Sequence, residues 1–153
     1  MSATSFAFDF PARADAYVGF DPGRDKCGVA LLTGSGEACY REIVPSDRAI
    51  DRVRTLIEFV SLRSASICVV MGNQTTSAQW TMQFRQAMPH LDIQVVDERY
   101  SSQEARRRYW DFYPPQGLTR FVPLGLREPP RPIDDIAAVI LVERYLHQRS
   151  PTS

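Results

Sequence analysis

The chain has 153 residues, 18 Lys plus Arg against 18 Asp plus Glu, and 44% hydrophobic residues. That length suits one domain with a core of its own and leaves no room for a second full-sized one, while zero net charge excludes a protein that coats nucleic acid by bulk attraction. No apolar run approaches the roughly 20 residues of a membrane span and the opening lacks a basic start, so a cytoplasmic protein with no membrane partner is expected.

Residues 1–15 carry Phe6, Phe8 and Phe10 without a clear period and read as a poorly ordered tail or an arm packed on the body. AYVGFD and CGVALLT are apolar runs separated by a Pro, Gly and Asp cluster, which is a hairpin signal; after GSG, EACYREIV adds a third strand to the meander. A helix is expected from Pro45 and Ser46, because Ala49, Ile50, Val53, Leu56, Ile57 and Val60 recur on one helical face. SICVVMG, closed by Gly72, reads as a buried parallel strand. The loop NQTTS leads to a second helix ending near Met88, and IQVVDE is a fifth strand. Ser101 with Glu104 matches a capping box that opens a helix to about Phe112. Residues 113–132 hold six prolines and two glycines, which argues against regular structure there. Pro132, Asp134 and Asp135 introduce a last helix with Ile136, Ala137, Ile140, Leu141 and Tyr145 near one face, leaving 149–153 as a tail. The sum is an α/β fold: a mixed five-stranded sheet, three antiparallel strands and two parallel, flanked by helices.

Cys27, Cys39 and Cys68 are odd in number and widely spaced, which suggests neither a disulfide framework nor a structural zinc site and suits a reducing compartment. Lys26 is the only lysine beside 17 arginines. Genomic base composition explains that ratio as readily as phosphate recognition does. Seven arginines between Arg99 and Arg131 nevertheless make a locally basic stretch.

Three acids stand where a sheet would gather them: Asp21 after the first strand, Glu98 after the fifth, and Asp134 or Asp135 at the start of the last helix. Ligands of open α/β sheets collect outside the carboxyl ends of strands. A carboxylate set without histidine or thiolate is hard and oxygen-rich, favouring Mg²⁺ or Mn²⁺ over Zn²⁺. Two such ions about 3.5 to 4 Å apart would hold the attacking water and leaving oxygen of phosphodiester cleavage. Each acid also has a plain structural reading: a turn residue at Asp21, a salt bridge to Arg99 at Glu98, a helix N-cap at Asp134 or Asp135. Tyr109, Trp110, Phe112 and Tyr113 suit a helix packing face better than a base-stacking platform, and His90 and His147 read as surface residues.

GFDPGRDKCGVALL, VVDERYSSQEARRRYW and PIDDIAAVILVERYL, in that order over residues 16–148, resemble the YqgF family, Holliday junction resolvase-like nucleases of the ribonuclease H superfamily, near its RuvC branch. The resemblance implies a ribonuclease H-like domain over 16–148. It also implies catalytic metal ligands at Asp21, Glu98 and Asp134. Asp135 stands where the family usually has Ser, and would either join the metal ligands or only cap the helix. By the same resemblance, the activity is 5′-end processing of pre-16S ribosomal RNA or, less directly, resolution of branched DNA. The chain departs from the family at MGNQTTS, which keeps Gly72 but lacks the usual proline, and in the long Pro-rich segment 113–132.

The leading reading is a Mg²⁺- or Mn²⁺-dependent nuclease acting on structured RNA or branched DNA as a monomer or homodimer. Arg24, Lys26, Arg99, Arg106, Arg107 and Arg108 would steady its phosphates. The alternative is a non-catalytic protein on the same fold that binds nucleic acid or a ribosome-assembly partner. A sugar-kinase-like phosphotransferase shares the Asp and Gly turn but needs a second large domain.

Overall fold

A computed structural model describes residues 6–149. Residues 1–5 of the expected arm and 150–153 of the expected tail lie outside the described residues. The strands β1 (Asp15–Asp21), β2 (Lys26–Thr33) and β3 (Ala38–Pro45) form the antiparallel meander; β4 (Ser66–Gly72) and β5 (Asp92–Val96) add in parallel, giving the order β3-β2-β1-β4-β5. Among the described residues the α-helices are α1 (Ala49–Ser61), α2 (Ser77–Ala87), α3 (Ser101–Phe112) and α4 (Asp134–Arg149). This is the expected mixed five-stranded sheet flanked by helices. Among the described residues no helix is long and apolar enough to cross a membrane.

Side-chain alternation along the strands divides the core into two layers. Val18 and Phe20 of β1, Val29 and Leu31 of β2, and Val69 and Met71 of β4 face one way, onto Val53, Leu56 and Val60 of α1 and Phe84 of α2. Phe6 and Phe10 are buried in that same layer, so the described part of the arm is packed on the body. Tyr17, Ala30, Leu32 and Val70 face the opposite way, onto Ala138, Val139, Leu141 and Val142 of α4. The other side of α4, through Ile136, Ala137 and Ile140, packs on Ala105 and Tyr109 of α3. A helix sandwiched between sheet and helix must be apolar nearly all round, which explains the unbroken buried run Asp135–Val142. Tyr109, Trp110 and Phe112 belong to this packing face, and His90 and His147 are exposed, as expected.

Four local expectations are corrected. The helix after Pro45 does not begin at Ser46: a 3-10 turn over Ser46–Arg48 precedes α1. Ser101 makes no capping box. Tyr100, left-handed at φ 63°, stands at the N-cap without a side-chain cap bond, and the Glu104 carboxylate accepts from Arg144 instead, at 3.0 Å. The Pro-rich segment is not devoid of regular structure but winds into two 3-10 turns, Gly117–Phe121 and Leu124–Leu126. Glu98 forms no ion pair with Arg99 among the described residues, whose backbone N–H instead donates to Asp97.

Candidate metal-dependent active site

Alternation along β1 puts Asp21 on the same side as Tyr17, the side covered by α4. In the β1–β2 ladder Asp21 stands opposite Gly28. A β-carbon at Gly28 would overlap the carbonyl oxygen of Asp134, so a residue without a side chain is what lets the N-terminus of α4 settle against the sheet at this point. Asp134 is thereby delivered beside Asp21. Lys26, two residues along β2, places its Nζ 4.0 Å from Asp134 Oδ2.

Glu98 arrives from the other side. The strand β5 runs parallel to β4, with Val96 opposite Gly72, so the chain leaves β5 at the carboxyl ends of β4 and β1. The Glu98 side chain then folds across Gly72, where any β-carbon would collide with its carboxylate. Three carboxyl groups from three distant segments are half-buried at one end of the sheet. Their proximity has an electrostatic consequence: burial, then the charges of Asp134 and Glu98, push the Asp21 carboxyl up from 3.8 to about 7.

Two amides prop this cluster. Gln74 Nε2 donates to Asp21 Oδ1 at 3.4 Å, and Asn73 Oδ1 accepts from the Glu98 backbone N–H at 3.3 Å. Both lie in the MGNQTTS segment. Sequence reasoning read that segment only as a departure; two side chains with both donors and acceptors directly after Gly72 were the signal. Ser46 fastens the β1–β2 turn by donating to the Gly23 carbonyl at 2.9 Å, and buried Cys27 lies 3.5 Å from the same Ser46 hydroxyl. Burial raises the Cys27 thiol above its usual range.

Asp135 is not part of this cluster in its contacts. It is 3% exposed; Oδ2 accepts from Arg41 Nε at 3.1 Å and Arg131 NH2 at 2.6 Å, while Oδ1 accepts from the Ile136 N–H. Arg41 in turn donates to the Tyr113 hydroxyl and lies over the Phe112 ring. Asp135 therefore ties β3 and the segment before α4 to the body. Arg108 is similarly engaged, gripping Glu143 through NH1 and NH2 at 2.7 and 3.0 Å. Arg24, Arg99, Arg106 and Arg107 are exposed and form no ion pair among the described residues.

Among the described residues no three His, Cys, Asp or Glu side chains close around one point as a preformed metal cage. The donor chemistry of Asp21, Glu98 and Asp134 nonetheless fits a hard divalent cation. All are oxygen donors, and positive charge between them would offset the burial and the repulsion that together hold Asp21 near 7.

The fold is that of the ribonuclease H-like α/β class. No protein-family model matches the chain, and no curated protein matches it in sequence. Among solved structures, the large terminase nuclease from thermophilic phage G20c aligns with a TM-score of 0.51 and 16% identity over 88% of this chain and 84% of that one. A ROK family transcriptional regulator, a homolog of the E. coli MLC protein, aligns at a TM-score of 0.42 and 13% identity over 63% of this chain; the chain spans 31% of that regulator. The terminase likeness is one of fold.

Proposed function

We propose that the chain is a metal-dependent nuclease, with residues 16–148 as its catalytic domain and residues 1–15 as an arm. The observation that carries this reading is the meeting of three remote segments: Asp134 settles against Gly28, opposite Asp21, and Glu98 folds across Gly72, so that burial and then the charges of Asp134 and Glu98 raise the Asp21 carboxyl. Perturbed carboxyls gathered at the carboxyl ends of strands are characteristic of sites that do chemistry. The likeness in fold to a terminase nuclease agrees with it.

Asp21, Glu98 and Asp134 would hold one or two Mg²⁺ or Mn²⁺ ions. A bound cation there supplies Lewis-acid stabilisation of charge building on the phosphate. The chain's own groups do the rest. Gln74 holds the Asp21 carboxylate through one oxygen and leaves the other open, and Asn73 fixes the backbone from which Glu98 projects. Lys26 balances Asp134 and, with exposed Arg24 and Arg99 at the same end of the sheet, presents positive charge to phosphates. Asp135 serves the fold rather than the cation. The resemblance to the YqgF family points to the 5′ end of pre-16S ribosomal RNA or to a branched DNA junction as substrate.

The test is cleavage of pre-ribosomal RNA fragments and four-way junctions with Mg²⁺ or Mn²⁺, comparing the parent with Asp21→Asn. Cleavage by the parent alone is expected; equal rates reject the assignment. A second reading, a non-catalytic nucleic-acid or ribosome-assembly binder, draws on the zero net charge and the altered MGNQTTS segment. It requires that calorimetry show no Mn²⁺ uptake, and an isotherm lost in Glu98→Gln eliminates it.

A further inference from the structure

The segment between α3 and α4 is ordered without a core beneath it. Neither 3-10 turn contains a buried residue. Arg127 provides the order by donating from Nε to the Val122 carbonyl at 2.8 Å and from NH2 to the Arg120 carbonyl at 3.2 Å, with its guanidinium over Trp110. The turns thus held display apolar side chains outward: Leu118 is 84% exposed, and Phe121 and Leu126 are each 74% exposed. Fixing such groups in water is unfavourable unless something covers them.

Between these turns and α3 lies a cavity of about 360 Å³, lined among others by Arg106, Arg107, Leu124, Leu126 and Arg127. A second, of about 340 Å³, shares Arg106 and Glu128 with the first and continues to Arg131 and Ile133, one residue from Asp134. The two are continuous as one groove through Arg106 and Glu128, and the second reaches the residue that precedes Asp134 in the chain. The groove's charge is unbalanced. On α3, Arg108 is neutralised by Glu143, whereas Arg106 and Arg107 have no acidic partner among the described residues, and Glu128 is the one carboxylate among the residues lining the two cavities. Arg127, which lines the first cavity, bonds the carbonyls on either side of Phe121, and Arg120 covers the Phe121 ring at 5.2 Å, a guanidinium–aromatic pair.

We propose that this groove binds a single nucleic-acid strand running away from the acidic cluster, with phosphates on Arg106 and Arg107 and an unpaired base on Phe121. A single strand offers a line of phosphates beside open base faces, which matches a row of arginines next to exposed apolar groups. A duplex hides its base faces and has no use for Phe121. The inference rests on the proposed nucleic-acid substrate and adds its form: a duplex or junction carrying a single-stranded tail.

The test is binding of a fluorescent duplex, blunt or with a single-stranded RNA or DNA tail, under chelating conditions so that no cleavage occurs. Thermal melts confirm folding of the variants, all at exposed positions. The parent is expected to prefer the tailed substrate. Arg106→Gln with Arg107→Gln should abolish that preference and lower the salt slope of tail binding by about 1.4, two single-strand phosphate contacts. Phe121→Ala should weaken tail binding at least about fivefold with the salt slope unchanged. Equal affinity of the parent for blunt and tailed substrates, or equal losses for both in the variants, overturns the proposal. The nuclease reading fails separately: tail preference in a parent that never cleaves with Mg²⁺ or Mn²⁺ keeps the groove and removes the enzyme, whereas cleavage with no tail preference does the reverse.

Discussion

Replacing Asp21 by Asn should stabilise the metal-free protein at neutral and alkaline pH. Folding carries the Asp21 carboxyl from 3.8 to about 7, so the folded chain holds a proton over that interval that the unfolded chain has released. Stability from this group is therefore fully present below about pH 4, declines by about 1.4 kcal/mol per pH unit, and is lost above about pH 7. The full cost of ionised Asp21 is about 4 kcal/mol, a large part of an ordinary domain's stability. Asparagine keeps the shape and removes the charge. In urea titrations with chelator, its advantage over the parent should be about 1 to 2 kcal/mol near pH 5 and should widen to about 4 kcal/mol near pH 8. Adding Mg²⁺ or Mn²⁺ above pH 7 should then stabilise the parent by mass action and leave the variant unmoved. An advantage that does not vary with pH would refute the claim that burial beside Asp134 and Glu98 raises the Asp21 carboxyl.

Gly28→Ala should cost roughly 2 to 3 kcal/mol and abolish cation-induced stabilisation, because the new methyl displaces Asp134 with the start of α4; thermal melts with and without Mn²⁺ read both effects. Asp135→Ala should cost about 2 to 4 kcal/mol by leaving Arg41 and Arg131 half-buried without their anion, yet leave the affinity for Mn²⁺ measured by calorimetry close to that of the parent. Gln74→Ala should change stability by less than about 1 kcal/mol while weakening Mn²⁺ binding about tenfold, as befits a side chain that only orients Asp21. Arg108→Gln should cost about 1 kcal/mol through its loss of Glu143 without changing the salt slope of nucleic-acid binding, the opposite of what Arg106 and Arg107 variants do.

Where local pattern and tertiary demand agree, the elements were legible. The apolar stripe Ala49 to Val60 and the closed run SICVVMG have one physical solution each, a helix against a sheet and a buried parallel strand. The start of α3 was not legible. Ser101 and Glu104 form a sound capping pair in isolation, but Arg144, forty residues away, offers Glu104 a charge-assisted partner, and the backbone turns at Tyr100 instead. Asp135 is the same case within the site. Beside Asp134 it carries the same chemistry, and what separates the two is the helical rotation of about 100° per residue, which sends one toward Asp21 and Lys26 and the other toward Arg41 and Arg131. Those arginines lie on β3 and in the Pro-rich segment, and no spacing rule links them to Asp135 in advance.

The same separation explains how a site so costly in charge persists at the end of a small sheet. A carboxyl group held near 7 is unfavourable for folding at neutral pH, and two further acids beside it give no relief. The surrounding structure holds them there by contacts that do not depend on their ionisation. Gly28 admits α4, Ser46 pins the β1–β2 turn, Asp135 anchors the helix start through two arginines, and the apolar run Ile136–Val142 secures α4 on both sides. Neutralising Asp21 relieves a cost without loosening any of these, so a stabilised variant that has lost cation binding is the outcome that separates a site kept for chemistry from carboxylates kept for the fold.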